Sequence, residues 1–217
     1  MRAIAVAVAL AAAALLPRAA AQRPPPVWPA AFSVNFSETT SDVIASYNTT
    51  GAWFYDYGDA GAQPRQRIDR ATGKYDRFCG SVDSVDAPCS HLVRDGVRYL
   101  VWPTLSKCCG CCTAAQGCGV VRPTWMRDSN GTWQGTAPFK SSLWSGSADS
   151  WEITGAQPNF WFTISGGDVP VGFAQVPDDY QYFQPSTWAP GPQDDALFAL
   201  PSYCTPKCSG INTCTLV

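Results

Sequence analysis

Ser90-His91-Leu92-Val93-Arg94-Asp95-Gly96-Val97-Arg98-Tyr99-Leu100-Val101-Trp102 is the stretch that decides the fold class. Asp-Gly stands between two runs rich in β-branched, aromatic and aliphatic residues. That is the signature of a two-residue hairpin with a type I′ turn, in which both turn residues take positive φ. The turn sets the register: Arg94 opposes Val97, Val93 opposes Arg98, and Leu92 opposes Tyr99. Pro103 has no N–H to give to a ladder and closes the second strand.

Outward from this hairpin the chain keeps reading as strands and turns. Phe32, Val34 and Phe36 alternate with Ser33, Asn35 and Ser37, and Trp53, Tyr55 and Tyr57 share a face opposite Phe54 and Asp56. Alternation with a period of two marks half-buried strands. Residues 65–69 continue the series, and Ala71-Thr72-Gly73 turns it into a run over 74–79. Further strands are expected over 132–134, 150–154, 159–164, 171–176 and 180–183, with a short helix over 194–200. Residues 105–118 read as an irregular, cysteine-dense loop. Gly and Pro number 18 each, and no stretch holds a helical apolar period beyond about three turns. Strands in meander order build an antiparallel sheet. With roughly nine twisted strands, that sheet is expected to curl or close.

The N-terminus decides how the ten cysteines are read. Met1-Arg2, the apolar run 3–16, Pro17 and Ala19-Ala20-Ala21 have the layout of a cleavable export signal. The run falls short of the roughly 20 residues a membrane span needs. The expected organisation is a signal over 1–21, a Pro-rich extended lead-in over 22–30, and one disulfide-stabilised β domain over 31–217. An exported chain folds where thiols oxidise. Cys79, Cys89, Cys108, Cys109, Cys111, Cys112, Cys118, Cys204, Cys208 and Cys214 can then form five disulfides with none spare. The tail group Cys204, Cys208 and Cys214 is odd, so at least one of its members must reach back to the 79–118 group. Structural zinc on Cys108-Cys109-Gly110-Cys111-Cys112 is the rival reading; the oxidising compartment argues against it, and no metal site is assigned.

Sequons at Asn35, Asn48 and Asn130 are candidate glycosylation sites, each requiring an exposed asparagine. Secretion is the expectation, with a vacuolar or lysosomal lumen as the other destination. Without Arg2 and Arg18 the chain carries 13 basic residues against 17 acidic ones. That balance gives no footprint for nucleic acid, and no transmembrane segment follows the leader. The sequence leaves room for a homodimer.

Catalytic chemistry is thinly represented. His91 is the only histidine, the even cysteine count leaves no spare thiol to act beside it, and no G-x-S-x-G elbow occurs. Asp178-Asp179 and Asp194-Asp195 could be offered as glycosidase carboxylates. Neighbours on a strand point to opposite faces, so neither doublet forms a dyad by itself. Solvated turn residues are the plainer reading. Asp178 and Asp179 are also the seat at which weak calcium binding would be sought. The chain thus reads as a non-enzyme with no cofactor.

Several phrases carry a family resemblance. Gly51-x-Trp53-x-Tyr55-Asp56, Arg67-Ile68-Asp69-Arg70 with Gly73, Asp76-Arg77-Phe78-Cys79, Cys89, Arg98-Tyr99-Leu100, Trp125, Trp133 between Gly131 and Gly135, and Leu200-Pro201-Ser202-Tyr203-Cys204 resemble the ependymin-like proteins. The cysteine run 108–112 departs from their animal members. The resemblance implies a strongly curved antiparallel half-barrel, similar to that of bacterial lipoprotein carriers, in a secreted, glycosylated, non-enzymatic protein. It also implies a hydrophobic, lipid-like ligand on the concave face. Carried onto this chain, the ligand-binding positions are Trp53, Tyr55, Tyr99, Val101, Trp133, Phe160 and Phe162. Nine tryptophans in a chain with only 15% charged residues fit an aromatic pocket of that kind. The alternative is a carbohydrate-binding or cell-surface adhesion module whose exposed aromatics, such as Trp144 and Trp188, stack on sugars.

Overall fold

The computed structural model describes residues 23–41, 46–58, 62–155 and 157–215; the expected export signal lies outside them. Six strands run in meander order: β1 (Ala31–Ser41), β2 (Ser46–Asp56), β3 (Arg65–Arg70), β4 (Cys89–Arg94), β5 (Val97–Trp102) and β6 (Lys107–Thr113). A second meander follows: β7 (Thr132–Lys140), β8 (Ser145–Ile153), β9 (Asn159–Ile164), β10 (Pro170–Gln175) and β11 (Asp179–Phe183). Antiparallel pairing of β1 with β11 fuses the two. The short β12 (Ala189–Pro190) also pairs with β1, and β13 (Cys204–Thr205) lies parallel to β6. One 13-stranded, mostly antiparallel sheet results. Helix is confined to single turns, among them α1 (Cys79–Val82), α2 (Trp125–Asp128) and a 3-10 turn over Asp195–Phe198.

The Asp95-Gly96 hairpin has the register its turn dictates, Leu92 opposite Tyr99 and Val93 opposite Arg98, with φ of 51° and 73° at the two turn residues. Two local expectations change. Residues 74–78 are turn, not strand, because the Asp76 carboxylate accepts the amides of Phe78 (3.0 Å) and Cys79 (2.7 Å) and starts α1 instead. Residues 105–118 are not an irregular loop, since β6 occupies their middle. Cysteine behaves as a small buried apolar residue that fits a pleated surface. A bulge in β6 opposite Arg98 and Tyr99 inserts Cys111 as an extra residue. Both Cys111 and Cys112 then join Cys109 in one buried cluster.

Five disulfides use all ten cysteines. Cys79–Cys89 and Cys112–Cys118 are local. Cys108–Cys204, Cys109–Cys208 and Cys111–Cys214 fasten the tail along β6, closing loops of 96, 99 and 103 residues.

The expected half-barrel is corrected. The sheet does not close, since its strand order ends at β7 on one side and β13 on the other, and it is not strongly curved. The core face, which carries Phe32, Val34, Phe36, Trp53, Tyr55, Trp151, Trp161 and Phe183, is packed rather than hollow. Trp28 of the lead-in drops onto it. Its ring lies 4.8–5.6 Å from those of Phe32, Trp53, Tyr55, Trp125 and Trp161, and Met126 of α2 is fully buried beside it. Burying that much aromatic surface against itself, at about 25 cal/mol per Å², removes the reason to leave a greasy hollow. Arg23 anchors the lead-in by pairing with Asp149, which also accepts the Gly166 amide at 2.9 Å.

Candidate functional site

The seven expected pocket residues do not converge. Trp53, Tyr55 and Trp133 point to the core face and pack there. Tyr99 and Val101 point to the opposite, outer face, where Leu92 and Phe198 cover them. Phe160 and Phe162 also face outward, because Trp161 and Thr163, which alternate with them, are buried. Side chains alternate along a strand, so a set of positions chosen strand by strand without the pairing divides between the two faces.

The outer face over β9, β10 and β11 holds the aromatic cluster that does form. Phe162 pairs across to Gly172, and Gly172 to Tyr182; Phe160 pairs to Ala174, and Ala174 to Tyr180. Two aromatic strands therefore flank a strand of small residues, leaving a trough. The β7–β8 hairpin folds across that trough. Its Phe139 ring lies over Gly172, where a Cβ would come within 2.9 Å of Cζ. Phe162 and Tyr182 sit beside Phe139 with centroids 5.1 and 6.3 Å away, and Trp144 lies at 6.1 Å. The hairpin tip is tied by the Ser141 hydroxyl, which accepts the amides of Leu143 (3.2 Å) and Trp144 (3.1 Å). It reaches β1 through Ser142 and Ser37, whose hydroxyl oxygens are 3.2 Å apart.

The arching hairpin leaves an open cleft on each side. One, of about 410 Å³, is walled by Phe139, Phe160, Phe162, Tyr180 and Tyr182. The other, of about 980 Å³, is walled by hydroxyls and amides, including Ser37, Thr39, Asn48, Thr50 and Ser142. Tyr182 and Lys140 line both. Burial, reinforced by Tyr180, pushes the Tyr182 hydroxyl up from its usual range, so it stays a neutral donor. Sequence reasoning found Phe160 and Phe162 but missed Phe139, Tyr180 and Tyr182, which only the strand pairing and the hairpin's fold-back bring together. The alternation of Tyr180 and Tyr182 was the available signal.

The core face keeps a cavity of about 430 Å³, with Glu38, Arg70, Asp76 and His91 in one part of its wall and Trp28, Trp53, Trp125 and Trp161 in another. Glu38 accepts two hydrogen bonds from Arg70 (2.5 and 2.8 Å) and one from Gln181 (2.7 Å). Asp76 takes His91 Nε2 at 2.8 Å and faces Arg70 at 3.5 Å. Burial works against the Asp76 carboxylate, yet His91 and Arg70 beside it hold it well below the usual range. Burial, then the Glu38 charge, pushes Asp179 up to about 7. The lipid-carrier expectation is overturned by the packed core face and the unclosed sheet.

Asp76, Cys79 and His91 bring ligand-type atoms within 4.8 Å, but Cys79 is committed to its bridge with Cys89. Asp179 lies half-buried on the core face while Asp178 is exposed in the preceding turn. Trp188 packs on Phe32 at 4.6 Å, away from the outer cleft. Asn35, Asn48 and Asn130 are all exposed. No helix among the described residues is long and apolar enough to cross a membrane. Compared with known proteins, the chain matches no family model and no curated protein, so the ependymin-like resemblance rests on its quoted motifs alone.

Proposed function

We propose that this protein is an exported, non-catalytic carbohydrate-binding module that grips a glycan in the outer-face cleft under the β7–β8 hairpin. The observation that carries the reading is the adjacency of the two clefts. Rings of Phe139, Phe162 and Tyr182 crowd one side, with Trp144 packed against Phe139, and a hydroxyl- and amide-rich wall continues from Tyr182 on the other. Sugars present just such a pair of surfaces, an apolar C–H face that stacks on rings and an edge of hydroxyls that exchange hydrogen bonds. Buried rings with a polar tip, like Tyr182, serve both. The site is open, which suits a polymer passing through rather than a small molecule enclosed. Its rim is held by a hairpin with tied ends, so little ordering is required on binding.

Binding of the purified full-length protein to a glycan array tests the reading. Saturable binding to at least one glycan class is expected, with a loss of about tenfold or more in Trp144→Ala and in Phe139→Ala. Trp188→Ala is the control and leaves binding unchanged. A glycan on Asn48 would occupy the polar wall, so Asn48→Gln is assayed in parallel, and binding by either form counts in favour. Absence of binding by both forms, or equal binding by the Trp144 and Phe139 variants, overturns the proposal.

A further inference from the structure

We infer that the glycan taken by this cleft carries an anionic substituent, a uronate carboxylate or a sulfate ester, read by Lys140. The inference rests on the reading of the outer cleft as a sugar site and adds the class of sugar.

Charge placement carries it. Among the described residues, Lys140 is the one charged residue that lines either cleft, and it lines both. It ends β7 opposite Ser145, immediately after Phe139, so its ammonium is tethered where the aromatic and hydroxyl walls meet. It is exposed and forms no ion pair among the described residues. Most of the other cations are engaged. Arg65, Arg70 and Lys107 pair with carboxylates, and Arg98 lies over the Phe78 ring at 4.8 Å. Of the acidic groups near the cleft, Asp86 accepts the Thr72 hydroxyl at 2.5 Å, and Glu152, across from Phe160, is not among the residues that line the cleft.

A chain with more acids than bases repels anions in general. An unneutralised cation fixed beside stacking rings reverses that locally. A sugar stacked on Phe139 and Phe162 projects its equatorial substituents toward the rim, and a carboxylate or sulfate there meets Lys140, with no carboxylate of the described residues lining either cleft. A neutral sugar meets only the hydroxyl wall. The interaction is exposed, so it selects between ligands more than it adds affinity, and it weakens with salt.

The test uses array pairs that differ only in charge: a galacturonate oligosaccharide beside its carboxyl-reduced form, and a sulfated galactan oligosaccharide beside its desulfated form. Wild-type protein is expected to bind the charged member of at least one pair about fivefold tighter in low salt, with the preference gone near 0.5 M (roughly a 4 Å screening length). Which pair shows it separates carboxylate from sulfate. Lys140→Gln abolishes the preference, bringing affinity for the charged member to that for the neutral one, and Lys140→Arg keeps it. Equal affinity for both members of each pair in the wild type, or a preference that persists in Lys140→Gln, overturns this inference and leaves the sugar site standing. No binding to either member of any pair, on an array without other hits, brings down the sugar site itself.

Discussion

Asp179 is the residue whose environment departs furthest from what its neighbours in sequence suggest. In Asp178-Asp179 one would read two solvated turn carboxylates. The pairing of β11 with β1 instead turns Asp179 onto the core face, where burial and Glu38 raise it to about 7. In the unfolded chain it ionises near 4. Folding therefore favours the protonated form. That stability is fully present below about 4 and is lost as pH rises through about 7. Asp179→Asn removes the loss. Thermal unfolding should show the variant more stable than wild type at pH 8, by on the order of 2 kcal/mol, with the difference vanishing toward pH 4. A difference that stays constant across that range would count against the assignment. The same scale governs Phe139, legible in sequence as one more apolar residue before Lys140. That its ring lies over Gly172 is written nowhere near either residue.

At the scale of elements, β6 shows how cysteine density misleads. Five residues of cysteine and glycine look like loop, yet they form a strand paired between β5 and β13, one in from the sheet's edge. The periodicity is broken by the bulge at Cys111, so alternation could not reveal it. Three bridges from this one strand hold the tail, and each closes a loop of about the same length. They are redundant in the unfolded-chain sense. Replacing Cys109 and Cys208 by Ser leaves two bridges that still close the loop, and is expected to cost about 1 kcal/mol. Removing all three is expected to cost about 4–5 kcal/mol, the entropy of freeing a loop of roughly 100 residues. Chemical denaturation of the two variants checks this, and a single removal as costly as the triple one would contradict it. The β4–β5 hairpin is the opposite case. Its Asp-Gly turn is local chemistry, and its register was readable in full.

For the whole molecule, the decisive contact joins the lead-in to the sheet. Pro24-Pro25-Pro26 reads as an extended approach to the domain, and residues 23–29 belong to no helix or strand. Trp28 then becomes the keystone of the core-face aromatics. Trp28→Ala should lower stability by about 3–5 kcal/mol, the usual range for emptying a buried indole site. It should also expose apolar surface, seen as enhanced fluorescence of a hydrophobic dye in native conditions. A variant with wild-type stability and no dye binding would show that the sheet packs without it. The outer cleft should survive this change, since none of its wall rings Phe139, Phe160, Phe162, Tyr180 and Tyr182 is among those packed on Trp28.

By itself the sequence determined the class of secondary structure, the hairpin register at Asp95-Gly96 and an even set of cysteines. These depend on turn conformation, two-residue alternation and thiol chemistry, all of which act over a few residues. The tertiary structure alone decided which face is filled and where the rings gather. Trp28 meets Trp161, and Ser37 meets Ser142 across 105 residues. Such contacts are chosen by competition among all the apolar surfaces of the chain at once, and short-range pattern carries no record of who wins.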